Sequence, residues 1–102
     1  MSIIRKIYRG NVAQISAPTK GDVTTTSIAV TGTVVFPKDG TWGVAYKLST
    51  ASSWTHKASS SQNISMNLTG LTADKTYDIK LYVKFDGAYQ YGEAIQAATP
   101  AT

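Results

Sequence analysis

A chain of 102 residues with no cysteine, 16% charged residues and a net charge of +4 has the length of one domain. It can bury a single core without covalent staples, and it offers neither a disulfide framework nor a thiolate metal site. One histidine, His56, and one glutamate, Glu93, are too few to converge as a nucleophilic triad, a metal cage or a carboxylate pair. The expectation is therefore no enzymatic activity, no metal and no cofactor.

Residues 1–11 read as an N-terminal arm set apart from the rest. Ile3, Ile4, Ile7 and Tyr8 follow a one-turn helical spacing with Arg5, Lys6 and Arg9 between them, and no acid lies among them. The remainder holds seven basic residues against six acidic ones, so the basic bias belongs to the arm. The segment is too short for a stable isolated helix. Apolar and basic residues outside a core suit attachment to a larger assembly; the plainer alternative is an extra strand completing the chain's own sheet. Charges interrupt the arm too early for the apolar stretch of a secretory leader. The expectation is synthesis in a cytoplasm without a cleaved leader. No stretch reaches the roughly 18 apolar residues of a membrane span, and no membrane partner is expected.

Residues 12–102 read as one sheet-built domain. Pro18, Gly21 and Asp22 punctuate an interrupted first strand. Ser27 to Val35 is strongly β-prone, with Ile28, Val30 and Val34 on one face and Gly32 between them. Pro37-Lys38-Asp39-Gly40 is a turn. Trp42, Val44, Tyr46 and Leu48 then alternate with Gly43, Ala45, Lys47 and Ser49, which predicts a strand with an aromatic inner face. Trp54 to Lys57 is a short edge strand between two polar loops. Ile64, Met66 and Leu68 alternate with polar residues.

The stretch from Leu68 to Val83 carries the most information. Leu68 and Leu71 bracket a glycine turn. Tyr77, Ile79, Leu81 and Val83 then point to one face, and Asp78, Lys80, Tyr82 and Lys84 to the other. A tyrosine opening such a strand after Leu68-Thr69-Gly70-Leu71 is the tyrosine-corner pattern of β-sandwiches. Asp86-Gly87 signals a hairpin, from which Tyr89 to Ala98 pairs back as the last strand. The expected core is Ile28, Val30, Trp42, Val44, Tyr46, Leu68, Leu71, Tyr77, Ile79 and Leu81. About seven strands and no helix longer than a turn predict an all-β, immunoglobulin-like antiparallel β-sandwich.

With these elements in view, the chain resembles a fibronectin type III domain over about residues 15–100. The matching residues are Val23 to Val30, Trp42-Gly43-Val44-Ala45-Tyr46, Leu68-Thr69-Gly70-Leu71 through Tyr77, Tyr91-Gly92-Glu93 and Thr99-Pro100. The spelling Thr31-Gly32-Thr33-Val34 and Gly43-Val44-Ala45-Tyr46 is similar to a subgroup from gut-bacterial surface proteins and their phages. Gly32 stands where the family has a tryptophan, so Trp42 or Trp54 is expected to fill the core instead. The family's Arg-Gly-Asp loop is absent, and no binding residues carry over.

What the resemblance implies is display and binding rather than chemistry. A single sandwich domain, no leader and a likeness to extracellular display domains are reconciled by a virion protein. The leading expectation is a non-enzymatic structural protein of a phage particle. It is an auxiliary or decoration protein of the capsid, held by arm residues Ile3, Ile4, Arg5, Lys6, Ile7, Tyr8 and Arg9 to other virion proteins, first of all the major capsid protein. The alternative is an adhesion or glycan-binding module of a bacterial surface protein.

Trp54, Tyr82, Tyr89 and Tyr91 are candidate surface-binding residues, because exposed aromatics offer rigid amphipathic contact area. They could stack on a host-surface glycan or dock on a protein; the plainer reading is sandwich filling. Lys47, Lys80 and Lys84 fall on outer faces, but three lysines diluted by Asp78 and Asp86 are too few to suggest nucleic acid. His56 reads as surface decoration.

Overall fold

A computed structural model describes residues 13–36 and 39–101. The arm at 1–11 and the turn residues Pro37 and Lys38 lie outside the described residues. Nine strand segments run in chain order: β1 (Gln14–Ile15), β2 (Thr19–Val23), β3 (Ile28–Val35), β4 (Thr41–Leu48), β5 (Thr55–Ser59), β6 (Asn63–Leu68), β7 (Thr76–Phe85), β8 (Ala88–Tyr91) and β9 (Ile95–Ala98). All pairings are antiparallel.

The expected seven strands and these nine segments are the same architecture. In one sheet β3 is central, with β6 on one edge and β1 and β2 in succession along the other. Pro18 separates β1 from β2, since proline has no N–H to give the ladder. In the other sheet the order is β5-β4-β7, and β8 and β9 share the far edge of β7. The break between β8 and β9 falls at Gly92, where a side chain would press on the Ile15 backbone and methyl group. The first and last strands are thus each split where they approach one another.

The core fills the space between the sheets. Ile28, Val30 and Val34 of β3, Ile64 and Leu68 of β6, Val44 of β4, and Ile79, Leu81 and Val83 of β7 are all nearly inaccessible. These are the alternating inner positions that the sequence pattern marks out. Trp42 and Tyr46 depart from expectation. Both face inward but are only half-buried, packed on the margin of the core rather than within it. Neither Trp42 nor Trp54 substitutes for the tryptophan missing at position 32. A methyl group on Gly32 would collide with Leu81 Cδ1, so it is Leu81 that crosses into that space. Trp54 lies on the opposite face of its sheet, beside lysines.

The corner after β6 is held by hydrogen bonds. Tyr77 is buried and its hydroxyl accepts from the Thr72 amide at 2.8 Å. Gly70 takes the positive φ of 71° that lets Leu68 and Leu71 both turn inward. Thr99, itself buried, ties the chain end to the same corner. Its Oγ1 lies 2.7 Å from the Thr72 carbonyl and accepts from the Lys75 amide at 3.2 Å. The Asp86-Gly87 hairpin closes with φ of 54° and 81° at its two central residues, as a type I′ turn requires.

Two consequences for stability follow. Tyr77→Phe removes one buried hydrogen bond and is expected to cost about 1 kcal/mol in chemical denaturation. Gly32→Ala forces the Leu81 side chain aside and is expected to cost about 1–3 kcal/mol. In a Leu81→Ala background, itself about 2–5 kcal/mol destabilised by its cavity, the same methyl group should cost much less. Strictly additive effects would show that Leu81 does not fill the space above Gly32.

Candidate functional site: an aromatic and lysine face

The outer face of the β5-β4-β7-β8 sheet is built from alternate positions whose inner neighbours form the core. On β4 these positions carry Gly43, Ala45 and Lys47; on β7, Asp78, Lys80, Tyr82 and Lys84; on β8, Tyr89 and Tyr91; on β5, His56. Register brings them together. Ala45 lies between His56 and Lys80, Gly43 lies beside Tyr82, and Tyr82 and Lys84 oppose Tyr91 and Tyr89.

The small residues of β4 shape this face. Ala45 is fully buried although it points outward. A side chain at Gly43 would collide with the Lys57 carbonyl and approach Ala58 Cα to 2.8 Å. Strand β5 therefore sits tightly against β4, and the larger side chains of the flanking strands lean over the trough between them.

Tyr82 lies at the bottom of that trough. The expectation of an exposed, partner-binding tyrosine is corrected here: its relative exposure is 3%. His56 meets it edge-on, with ring centroids 4.9 Å apart and an interplanar angle of 87°, and Tyr89 lies 5.8 Å away. The neighbouring rings of His56 and Tyr89 cover it. Burial, with the two nearby phenols, pushes the Tyr82 hydroxyl above its ordinary pKa.

Tyr89 and Tyr91 are exposed, at 41% and 40%. Their rings are parallel within 6° and 5.7 Å apart. Trp54, just before β5, is half-buried. Lys80 joins the two ends of the patch. Its Nζ lies 4.0 Å from the Trp54 ring centroid and 3.7 Å from that of Tyr91, both within cation–π range. Lys84 Nζ lies 5.3 Å over Tyr89. Among the described residues the one ion pair is Lys47–Asp78 at 3.1 Å, in which Asp78 also accepts from Gln96 at 2.9 Å. These hydrogen bonds, from Gln96 first and Lys47 second, hold the Asp78 carboxyl below its usual range. Among the described residues Lys80 and Lys84 have no such carboxylate.

His56 is the residue that sequence reasoning missed. It is not mere decoration: it touches all three tyrosines, and its Nε2 is 3.0 Å from the Tyr91 hydroxyl. The usable signal was Gly43 and Ala45 at outward positions of a central strand, which leave space that neighbours must cover. Desolvation, then the charges of Lys80 and Lys84, hold the imidazole below its ordinary pKa. Among the described residues no three His, Asp or Glu side chains gather as a metal site. An open cleft of about 340 Å³ near the corner, between Tyr46, Leu48, Ala51, Thr69 and Tyr77, contains no acid or base pair.

The lowered His56 pKa predicts a pH effect. The unfolded chain takes up a proton near pH 6.5, whereas the folded chain does so only at lower pH. The contribution of neutral His56 is fully present above about pH 6.5 and is lost as pH falls from there through the lowered value. Asp78 acts in the same direction, but in the more acidic carboxylate range. Between about pH 7.5 and pH 5 the wild type is expected to lose more denaturation stability than His56→Gln. Equal losses would remove His56 as the cause.

No family model matches the sequence, and no curated protein matches it. Solved structures do match in fold. The FN1–FN3 domains of chicken CNTN1 superpose with a TM-score of 0.71 at 17% identity, covering 86% of this chain and 33% of that one. The fibronectin type-III domain of human fibronectin type III domain containing protein 3 gives 0.68 at 12% identity, covering 86% and 85%. The sensor domain of an anti-sigma factor from Pseudobacteroides cellulosolvens gives 0.63 at 22% identity, covering 88% and 96%. At these identities the likeness establishes the fold, a fibronectin type III-like β-sandwich.

Proposed function

We propose that this fibronectin type III-like sandwich is a non-catalytic interaction module that engages a partner through its outer aromatic and lysine face. One observation carries the reading: two stacked, two-fifths exposed tyrosines and two lysines without carboxylate partners sit together on a sheet whose core lies on the other side. Tyrosine and tryptophan concentrate at binding surfaces because they bring large contact area at small entropic cost. The lone histidine of the face lies among phenols and lysines, with no nucleophile and acid arranged around it.

The face is separable from the fold. Tyr89→Ser with Tyr91→Ser is therefore expected to leave the melting temperature within a few degrees, as surface changes usually do. A large loss of stability would make the two rings structural filling and overturn the reading.

The finer placement rests on the sequence. Basic and apolar residues at 1–11, added to a display-type sandwich, support a capsid auxiliary protein of a phage particle attached by Ile3, Ile4, Ile7 and Tyr8, with Arg5, Lys6 and Arg9 on an acidic neighbour. Each apolar side chain could supply about 1.5–3 kcal/mol on burial, before the cost of ordering. Deleting residues 1–9 is expected to leave the sandwich folded and to abolish incorporation into particles. Normal assembly of the truncated chain would place attachment elsewhere. The adhesion or glycan-binding alternative draws on the same exposed tyrosines and Trp54.

A further inference from the structure

The geometry points to an acidic segment of another protein as the partner of the outer face, its carboxylates seated on Lys80 and Lys84 between Trp54, Tyr89 and Tyr91. This inference deepens the interaction-module reading and rests on it.

The argument turns on which parts of the rings remain available. A sugar or a base stacks on an open ring face. Here the faces are already engaged. Tyr91 meets Lys80 Nζ at 3.7 Å and the parallel Tyr89 ring at 5.7 Å. Tyr89 in addition meets the His56 ring at 4.6 Å and Lys84 Nζ at 5.3 Å. Trp54 has Lys80 at 4.0 Å and Lys47 at 5.1 Å. What these contacts leave is ring edges, the Tyr89 hydroxyl and the ammonium groups, the Tyr91 hydroxyl being 3.0 Å from His56 Nε2. Ring edges are the positive part of the aromatic quadrupole, the hydroxyl donates, and ammonium groups donate with charge. All three favour an anion that accepts hydrogen bonds.

Charge accounting agrees. Asp78 is taken by Lys47 and Gln96, which leaves Lys80 and Lys84 with rings as their only close partners among the described residues. A ring face balances an ammonium less fully than a carboxylate does, so an incoming carboxylate gains a charge-assisted bond without displacing one. A second copy of this chain would bring its own lysines against these and is disfavoured. The site lies on a sheet face and is edged by tyrosine and tryptophan. That form suits a protein surface better than a small anion.

The test uses the full chain, labelled with nitrogen-15, and four probes: an acetylated oligoglutamate peptide, cellohexaose, an oligothymidylate and a heparin oligosaccharide. Oligoglutamate is expected to move the amide signals of residues 80–84 and 89–91. Raising the salt to about 0.5 M, where charges are screened within a few ångström, is expected to weaken it about tenfold. Lys80→Gln with Lys84→Gln is expected to weaken it at least as much while leaving the melting temperature within a few degrees. Tighter binding of cellohexaose, oligothymidylate or heparin on the same face would overturn the acidic-protein assignment while leaving the interaction module standing. Oligoglutamate signals confined to another surface, or none at all, would overturn it as well. The module reading itself falls only if the Tyr89 and Tyr91 serine variant unfolds.

Discussion

The register of β7 between β4 and β8 governs both faces of this protein. Eight residue pairs join β4 to β7, from Thr41 opposite Lys84 to Leu48 opposite Tyr77. Because strand side chains alternate with a period of two, one frame puts Ile79, Leu81 and Val83 into the core and Lys80, Tyr82 and Lys84 outside. A slip of one residue would bury two lysines and expose the centre of the core. The corner at Tyr77 sets where the frame begins. Its hydroxyl bond to Thr72 and the Thr99 contacts to Thr72 and Lys75 hold the start of the strand against the corner that precedes it and against Thr99.

From that one register the binding face follows with little further design. The central outward positions of β4 are small, so the neighbours lean inward and pack Tyr82, His56, Tyr89 and Tyr91 into a cluster. Lysines that might have been freely solvated are drawn along ring faces instead. Lys80 pays part of its hydration to lie between Trp54 and Tyr91; that desolvation, together with the charge of Lys47, lowers its pKa. The result is a second, smaller packed layer on the side of the sheet away from the core. Its members are mostly aromatic, and among the described residues Lys80 and Lys84 lack a carboxylate because Asp78 is already paired with Lys47.

The same logic explains the departure at position 32. With glycine at position 32, Leu81 reaches across from the other sheet into the space a side chain there would take. Ser16 lies near the same glycine and closes the first strand onto β3: its amide donates to the Thr33 carbonyl, and its hydroxyl accepts from the Thr33 amide. This part of the sandwich is thus completed by a long aliphatic side chain, one backbone hydrogen bond and one from backbone to side chain, with Trp42 on the margin.

Period-two alternation, the Leu68 to Tyr77 corner and the Asp86-Gly87 turn were legible in the sequence, because each depends on local backbone geometry and on residues a few positions apart. They determined an all-β sandwich, most of its core and the side of the strand on which Lys80 and Lys84 fall. Outward orientation, however, is not exposure. Whether Tyr82 meets water depends on Tyr89 across the hairpin and on His56, which comes from a strand that sequence order does not place beside it. The same is true of Leu81 over Gly32, where the space belongs to the opposite sheet. Those contacts are set by the register and close approach of strands distant in the chain, so only the tertiary structure could decide them.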